Sequence, residues 1–292
     1  MTARLDGLGD LAARFDALLV DQFGVLIDGT GAYDGAPAAL ARLARSGKRI
    51  VVLSNSGKRA GPNAARLAAL GFDPDSVVTV LSSGEVAHGL LRARLGRDLP
   101  ARPRTLLLAR DGDTSAVDGL DLPLTDDGAQ ADLVLLAASR GEEIGLDAYE
   151  RLLAPAAARR VPCLCTNPDK TMLTARGPAF GAGRIADLYA SLGGPVQRIG
   201  KPYRAIYDAA LAALGDPDPA RVVCIGDSPD HDVRGGRDAG LATALVRTGI
   251  HAGLADDALA ALCRRSGAVP DFILPRFDFA PAAAPAEVQT ER

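Results

Sequence analysis

The sequence lacks the features that mark several specialised classes of protein. Its four cysteines show no paired spacing of the kind used for metal binding, which favours buried, reduced thiols and a cytoplasmic location. The formal net charge of −3 gives no indication of a nucleic-acid partner. No apolar run is long enough to cross a membrane, and the first residues lack the basic region and apolar core of a secretory signal. The sequence therefore predicts a cytoplasmic protein with no nucleic-acid or membrane partner. It does not exclude small anionic substrates.

The composition is that of an ordinary globular protein with more than one domain. At 292 residues, 48% of them hydrophobic and 24% charged, the chain exceeds the usual size of a single domain. Alternating strand-like and helix-like segments within residues 84–195 predict an inserted α/β domain. We therefore predict a core of residues 1–83 and 196–278, with residues 1–16 as a helical lead-in. Residues 279–292, rich in Ala and Pro, are predicted to be a disordered tail.

Several short apolar runs end directly in polar residues. Continuous runs of this kind are typical of strands buried on both faces of a parallel sheet. The runs and the polar residues that follow them are 17–20 with Asp21, 49–53 with Ser54 and Asn55, and 222–225 with Asp227 and Asp232. The carboxyl ends of parallel strands lie at one edge of the sheet, where open α/β sheets bind ligands. We therefore expect these polar side chains to converge.

Three of the converging residues carry carboxylates, namely Asp21, Asp227 and Asp232. Three crowded carboxylates repel one another unless a divalent cation neutralises them. Oxygen ligands with little nitrogen or sulfur favour Mg²⁺ over zinc or copper. The pattern therefore predicts a magnesium site.

The remaining polar residues complement such a site with positive charge and hydrogen-bond donors. Ser54 and Asn55 supply donors, and Lys201 supplies a cation at a strand-to-helix junction between a glycine and a proline. Together with magnesium they form a site for a phosphoryl group. Asp21 is then a candidate nucleophile. The reaction would pass through an aspartyl-phosphate, which water hydrolyses.

In order along the chain, these segments resemble the four motifs of the haloacid dehalogenase (HAD) superfamily of phosphohydrolases. The matching segments are Asp21-Gln-Phe-Gly-Val, Leu53-Ser54-Asn55, Gly200-Lys201-Pro202 and Gly226-Asp227-Ser-Pro-Asp-His-Asp232. With its insertion between the second and third motifs, the chain resembles the class IIA (NagD-like) branch over nearly its whole length. The resemblance implies a Rossmann-like, doubly wound parallel-sheet core with an inserted α/β cap domain of the C2 type.

The resemblance also implies how the motif residues share the work. Asp21 would be the nucleophile and would hold Mg²⁺ together with the backbone carbonyl of Phe23 and Asp227. Asp232 would be a direct or water-mediated ligand, and a cap on the following helix is the alternative role for it.

Further residues are implied to bind the substrate, a small phosphorylated metabolite. Ser54 and Lys201 would bind the transferring phosphate, with Asn55 beside them. Asn167 and Asp169, at the edge of the cap, would contact the leaving group, although an Asx–Pro turn explains the same residues. The branch also implies a homodimer formed through the caps.

Phe23 departs from the pattern of the superfamily's phosphatases, which usually carry an aspartate two residues after the nucleophile. That aspartate protonates the leaving oxygen and then activates water, a task worth about 10²–10⁴-fold. Phenylalanine does neither, so a substitute acid such as Asp28 or Asp169 is one interpretation, and a slow enzyme or a good leaving group is another. Two other functions stay open, which are hydrolysis of a carbon–halogen or carbon–phosphorus bond and phosphate binding with little turnover.

Overall fold

The computed structural model describes residues 2–174 and 177–279. From residue 280 onward, the predicted tail lies outside the described residues. Helices lie at Gly9–Arg14 (α1), Ala36–Arg45 (α2), Ala60–Ala69 (α3), Ser83–Arg94 (α4), Leu146–Ala158 (α5), Ala182–Ser191 (α6), Arg204–Ala213 (α7), Arg234–Asp238 (α8) and Asp256–Arg265 (α9). Short helical turns lie at Pro74–Ser76, Pro219–Arg221, Pro229–Val233 and Gly249–His251.

Strands alternate with these helices along most of the chain. They lie at Ala3–Arg4 (β1), Ala17–Asp21 (β2), Arg49–Ser54 (β3), Thr79–Ser82 (β4), Thr105–Leu108 (β5), Leu124–Thr125 (β6), Leu133–Leu136 (β7), Cys163–Cys165 (β8), Thr171–Thr174 (β9), Gly177–Phe180 (β10), Val196–Arg198 (β11), Val222–Gly226 (β12), Ala242–Val246 (β13) and Phe272–Leu274 (β14).

The chain forms two compact units. The first comprises the described residues within 1–50, 70–76 and 217–292, and the second comprises those within 51–69 and 77–216. The predicted domain boundaries, at 83/84 and 195/196, fall inside the second unit and stay a prediction.

The first unit is built on parallel strands hydrogen-bonded in the order β1-β14-β13-β12-β2. Every residue of β2 and β12 is buried, as their continuous apolar runs require. The register pairs Val20 with Ile225 and Gly226 with Leu245. Asp21 and Asp227 therefore leave the sheet side by side at the carboxyl ends of neighbouring strands.

The second unit contains the parallel pair β3–β4 and a sheet of its own. That sheet has the order β11-β8-β7-β5-β6 with every neighbour parallel, and β9 and β10 form an antiparallel hairpin. Leu153 of α5 and Ile185 of α6 pack with Val134 in a buried core. Tyr189 closes that core and donates its hydroxyl to the Val161 carbonyl at 2.8 Å.

These sheets confirm the predicted α/β class, with a parallel Rossmann-like core sheet and a second parallel sheet in the cap. The helical lead-in over residues 1–16 is wrong in part, because Ala3 and Arg4 form the edge strand β1 and only Gly9–Arg14 is helical. A two-residue strand carries no periodicity, and its partner β14 lies at the far end of the chain. Among the described residues, no helix combines the length and apolarity needed to cross a bilayer.

Candidate active site

The carboxylates predicted to bind a metal come together in the first unit. One oxygen each from Asp21, Asp227 and Asp232 lies within 4.8 Å of the other two. All three residues are largely or fully shielded from solvent. Like charges this close repel strongly when water is excluded, so the arrangement suits a cation at its centre.

Backbone donors fix two of these carboxylates. The Ile250 N–H donates to Asp227 Oδ2 at 2.9 Å, and the Ser228 N–H donates to Asp232 Oδ2 at 3.2 Å. Asp232 lies within the π-helical turn Pro229–Val233, in which the His231 N–H donates to the Ser228 hydroxyl at 3.3 Å. The N-terminal cap of this turn is therefore Ser228, while Asp232 points back to the cluster.

Two glycines make room for the Asp227 carboxylate. Gly24 and Gly249 both have a positive φ, +83° and +71°, and a Cβ at either position would collide with that carboxylate. The Thr248 hydroxyl donates to the Gly24 carbonyl at 2.6 Å and ties the two loops together. Glycine is required here both for its backbone conformation and for the close approach.

Phe23 and Gln22 differ in their exposure although they are neighbours. The Phe23 side chain is 45% exposed, whereas Gln22 is fully buried and neither atom of its amide has a hydrogen-bond partner among the described residues. The Gln22 N–H donates to Asp21 Oδ1 at 2.7 Å and helps to orient the predicted nucleophile. Position 23 thus presents an apolar ring, with no proton to give.

In the second unit, Asn55 bridges two distant segments of backbone. Its Oδ1 accepts the Lys201 N–H at 2.7 Å, and its Nδ2 donates to the Lys201 carbonyl at 3.0 Å. The same Nδ2 donates to Asp169 Oδ1 at 2.7 Å, and the Ser83 hydroxyl lies 3.4 Å from Oδ1. Both ends of the amide are engaged by protein groups, so the geometry gives Asn55 a positioning role for Lys201 and Asp169.

The other predicted residues of the second unit surround this bridge. Lys201 is only 3% exposed and forms a cis peptide bond with Pro202. Asn167 Oδ1 accepts the Asp169 N–H at 3.2 Å, which is the Asx turn weighed as the alternative for this segment. Ser54 is buried at the end of β3, and its carbonyl accepts the Ser83 hydroxyl at 3.2 Å. The roles of these residues toward phosphate and leaving group stay predictions.

Tyr33 is a polar residue near the acidic cluster that the sequence patterns did not reveal. It is half-buried in the loop after β2. Burial, with the negative charges of Asp28 and Asp227, raises the pKa of this phenol above its ordinary value. No strand end or motif points to Tyr33, because it lies within the loop between β2 and α2.

Asp28, the predicted substitute acid in the same loop, already accepts hydrogen bonds from its neighbours. Asp28 Oδ1 accepts hydrogen bonds from the N–H and hydroxyl of Thr30, both at 2.7 Å, and from the Gly31 N–H at 3.1 Å. The Thr30 hydroxyl in particular lowers the pKa of Asp28, so this carboxylate holds no proton at neutral pH. His251 is half-buried, and burial lowers its pKa as well, so its ring is neutral at pH 7.

Two family models match separate stretches of the chain. One, described as haloacid dehalogenase-like hydrolase, matches residues 18–123, and the other, described as HAD-hydrolase-like, matches residues 198–277. The first stretch contains the strand end at Asp21 and the second contains the pair Asp227 and Asp232. Both predicted halves of the motif set are therefore covered.

Proteins with names and solved structures are similar over most of the chain. Human chronophin is 31% identical over 252 residues, which are 83% of this chain and 84% of chronophin. Glycerol-3-phosphate phosphatase of Gallus gallus is 34% identical over 258 residues, 82% of this chain and 81% of that enzyme. A crystal structure of a haloacid dehalogenase-like hydrolase from Brucella suis 1330 matches with a TM-score of 0.75 at 30% identity, covering 85% of this chain and 94% of that chain.

Proposed function

The chain belongs to the haloacid dehalogenase-like hydrolases, in the branch of the p-nitrophenyl phosphatases and chronophin, and on that basis we propose that it is a Mg²⁺-dependent phosphatase of small phosphorylated metabolites. The observation that carries the proposal is the acidic cluster of Asp21, Asp227 and Asp232 at the carboxyl edge of the core sheet. The cluster offers only oxygen ligands and includes Asp21, the nucleophile proposed from the family motif. Such an arrangement suits metal-assisted phosphoryl transfer.

The cluster fits a hard divalent cation by its chemistry. Its donors are carboxylate oxygens within 4.8 Å of one another, shielded from solvent and carrying like charges. Asp21, Asp227, Asp232 and the carbonyl of Phe23 would hold the ion, which when bound supplies positive charge to the carboxylates and the phosphate. Magnesium is the proposed ion because it prefers carboxylate oxygens.

In the proposed reaction, Asp21 performs the covalent step. A carboxylate oxygen attacks phosphorus, the bond from phosphorus to the leaving oxygen breaks, and that oxygen takes up a proton from water. Water then attacks the aspartyl-phosphate, releases inorganic phosphate and restores Asp21. The Gln22 N–H, at 2.7 Å from Asp21 Oδ1, holds the carboxylate in orientation through these steps.

Residues of the second unit are proposed to bind the substrate. Ser54 and Lys201 supply a hydroxyl and a cation to the phosphate, and Asn55 keeps the Lys201 backbone in place through two hydrogen bonds. Asn167 and Asp169 are proposed to face the leaving group. The Gallus gallus relative acts on glycerol 3-phosphate by its name, which supports a small phosphorylated metabolite as the substrate class.

The proposal is tested by hydrolysis of p-nitrophenyl phosphate with and without Mg²⁺. We expect turnover that requires the metal, and a loss of about 10⁴-fold or more in Asp21→Asn, because the nucleophile is removed. Asp10→Asn, at an exposed aspartate of α1 in the same unit, is the matched control and should keep full activity.

Other outcomes would redirect the proposal. A wild type that is inert while Phe23→Asp gains activity would show a phosphatase scaffold with another native reaction, such as cleavage of a carbon–halogen or carbon–phosphorus bond. Tight binding of a phosphate analogue without turnover would indicate a binding or regulatory protein.

Two other predictions accompany this function. The cytoplasm is the proposed compartment, supported by four cysteines that are all free and buried. A homodimer formed through the caps stays a prediction.

A further inference from the structure

The first unit contains a cavity of about 360 Å³ between one face of its sheet and helix α9. The cavity is lined in part by the apolar side chains of Leu259 and Cys263 from α9 and Ile273 from β14, which pack in one hydrophobic cluster. None of the described residues that line the cavity belongs to the acidic cluster. A cavity of this size can hold a small organic molecule.

The strand register brings two arginines to the same face of the sheet. On β14, Ile273 pairs with Arg4 of β1 on one side and with Leu245 of β13 on the other. Arg247 lies two residues after Leu245 and continues the ladder, since its N–H donates to the Leu274 carbonyl at 2.9 Å. Side chains of paired residues, and of residues two apart along a strand, share a face. Both arginines line the cavity as a result.

Asp256, in the first turn of α9, joins these two arginines. Its carboxylate lies 2.7 Å from Arg4 Nη2 and 2.5 Å from Arg247 Nη1. The Nη2 of Arg247 also donates to the Leu254 carbonyl, while its Nε is buried and has no hydrogen-bond partner among the described residues. The ion pairs therefore hold two guanidinium groups in place beside the cavity.

Arg264 of α9 adds a third positive charge to the lining. It is exposed and forms no ion pair with another described residue. Asp256 is the one carboxylate among the described residues that line the cavity, so two of the three positive charges are not compensated. Guanidinium groups bind carboxylates and phosphates through paired hydrogen bonds, which makes this wall suitable for an anion.

We propose that this cavity is a second binding site of the protein and takes a small organic dianion, with an apolar body that carries two carboxylates or a phosphate-type group. The two uncompensated positive charges match two negative charges, and the apolar side chains of α9 and β14 match the body of the ligand. A monoanion leaves one positive charge without a partner. This inference does not depend on the proposed phosphatase function.

Isothermal titration calorimetry of the full chain with Mg²⁺, at slightly alkaline pH, tests the site. The probes are isophthalate, phenylphosphonate and the monoanion benzoate. We expect at least one dianion to bind with a Kd below about 1 mM, and benzoate to bind at least about tenfold more weakly. The tighter of the two dianions shows whether the site prefers a dicarboxylate or a phosphate-type group.

Two arginines of α9 locate the binding. Arg264→Gln removes an uncompensated charge without breaking an ion pair to a described residue, and it should weaken the tighter dianion about tenfold. Arg265→Gln is the matched control, because Arg265 is the exposed neighbour on the same helix and does not line the cavity. Its Kd should stay within about twofold of the wild type.

A second pair of variants tests the cavity itself with all charges kept. Ala260→Phe fills the cavity from an exposed position of α9 and should weaken the dianion more than about tenfold, whereas Ala258→Phe, exposed on the same helix outside the cavity, should not. Absence of binding by either dianion below about 1 mM would overturn the proposal. An unchanged Kd in both Arg264→Gln and Ala260→Phe would also overturn it, since the dianion would then bind elsewhere. Neither result bears on the phosphatase.

Discussion

Two buried side-chain amides illustrate how differently the two units treat polar groups. Asn55, in the second unit, uses its oxygen and its nitrogen to bind Lys201, Asp169 and Ser83. Gln22, in the first unit, is fully buried with neither amide atom bonded to a described residue. Burial of an amide without partners costs about 1–3 kcal/mol in proteins.

The same contrast holds for the charges nearby. Asn55 lies among complementary donors and acceptors, so its surroundings are complete without a ligand. Beside Gln22, the carboxylates of Asp21, Asp227 and Asp232 crowd together with like charge. The region around Gln22 and the carboxylates is therefore built at a cost in stability and completed by what binds there. The region around Asn55 serves as a rigid support.

Metal binding should reveal this contrast most strongly. We expect removal of Mg²⁺ to lower hydrolysis more than about 10³-fold, and saturating Mg²⁺ to stabilise the fold by about 2.7 kcal/mol at one hundred times its Kd. Asp227→Asn should lose the Mg²⁺-induced rise in Tm, yet be more stable than wild type in EDTA because one of three like charges is gone. Thermal melts with and without Mg²⁺ measure both effects.

A variant of the second unit is the control for that experiment. Asn55→Ala should have a lower Tm but keep the full shift on adding Mg²⁺. An equal Mg²⁺-induced shift in wild type and Asp227→Asn would contradict the assignment of the metal to the acidic cluster.

Removing the hydrogen bonds of Asn55 should lower the free energy of unfolding more than removing a hydrogen bond of an ordinary turn. Asn55→Ala removes the two hydrogen bonds that the side chain makes to the buried N–H and carbonyl of Lys201, so the free energy of unfolding should fall by about 2–4 kcal/mol. Asn167→Ala removes one hydrogen bond of a partly exposed Asx turn and should cost about 1 kcal/mol or less. Urea unfolding compares them, and equal losses would mean that Asn55 is not a structural bridge.

Replacing the unpartnered amide of Gln22 should change the free energy of unfolding by a smaller amount and with the opposite sign. Gln22→Met keeps the length of the side chain and removes the unpartnered amide, so the free energy of unfolding should rise by about 1–2 kcal/mol. Gln197→Met, at an exposed position, should change it by less than about 0.5 kcal/mol. No gain for Gln22→Met in urea unfolding would show that the amide has a partner in solution.

The sequence predicted those parts of the molecule that depend on local pattern. Apolar runs predicted β2 and β12, and the rule for parallel strand ends predicted that Asp21 and Asp227 would meet, which the register of Val20 with Ile225 explains. The family resemblance is confirmed by the relatives that match over four fifths of the chain.

Features that depend on residues far apart in the chain could not be predicted from the sequence. The hydrogen bonds of Asn55 join residues 114 and 146 positions apart, so a pattern around residue 55 indicates only a polar strand end. Tyr33 was missed for a related reason, because its place is set by the folded loop, in which its N–H donates to the Leu26 carbonyl. Neither relation leaves a periodic trace in the chain.

The free cysteines give each unit its own chemical reporter. Cys163 and Cys165 lie in β8 of the second unit, and Cys224 and Cys263 lie in the first. Burial raises the pKa of Cys165 to about 12, so its thiol reacts with an alkylating reagent only when the cap sheet opens. Peptide mapping after timed alkylation would therefore follow the opening of either unit in the native protein, with no label introduced.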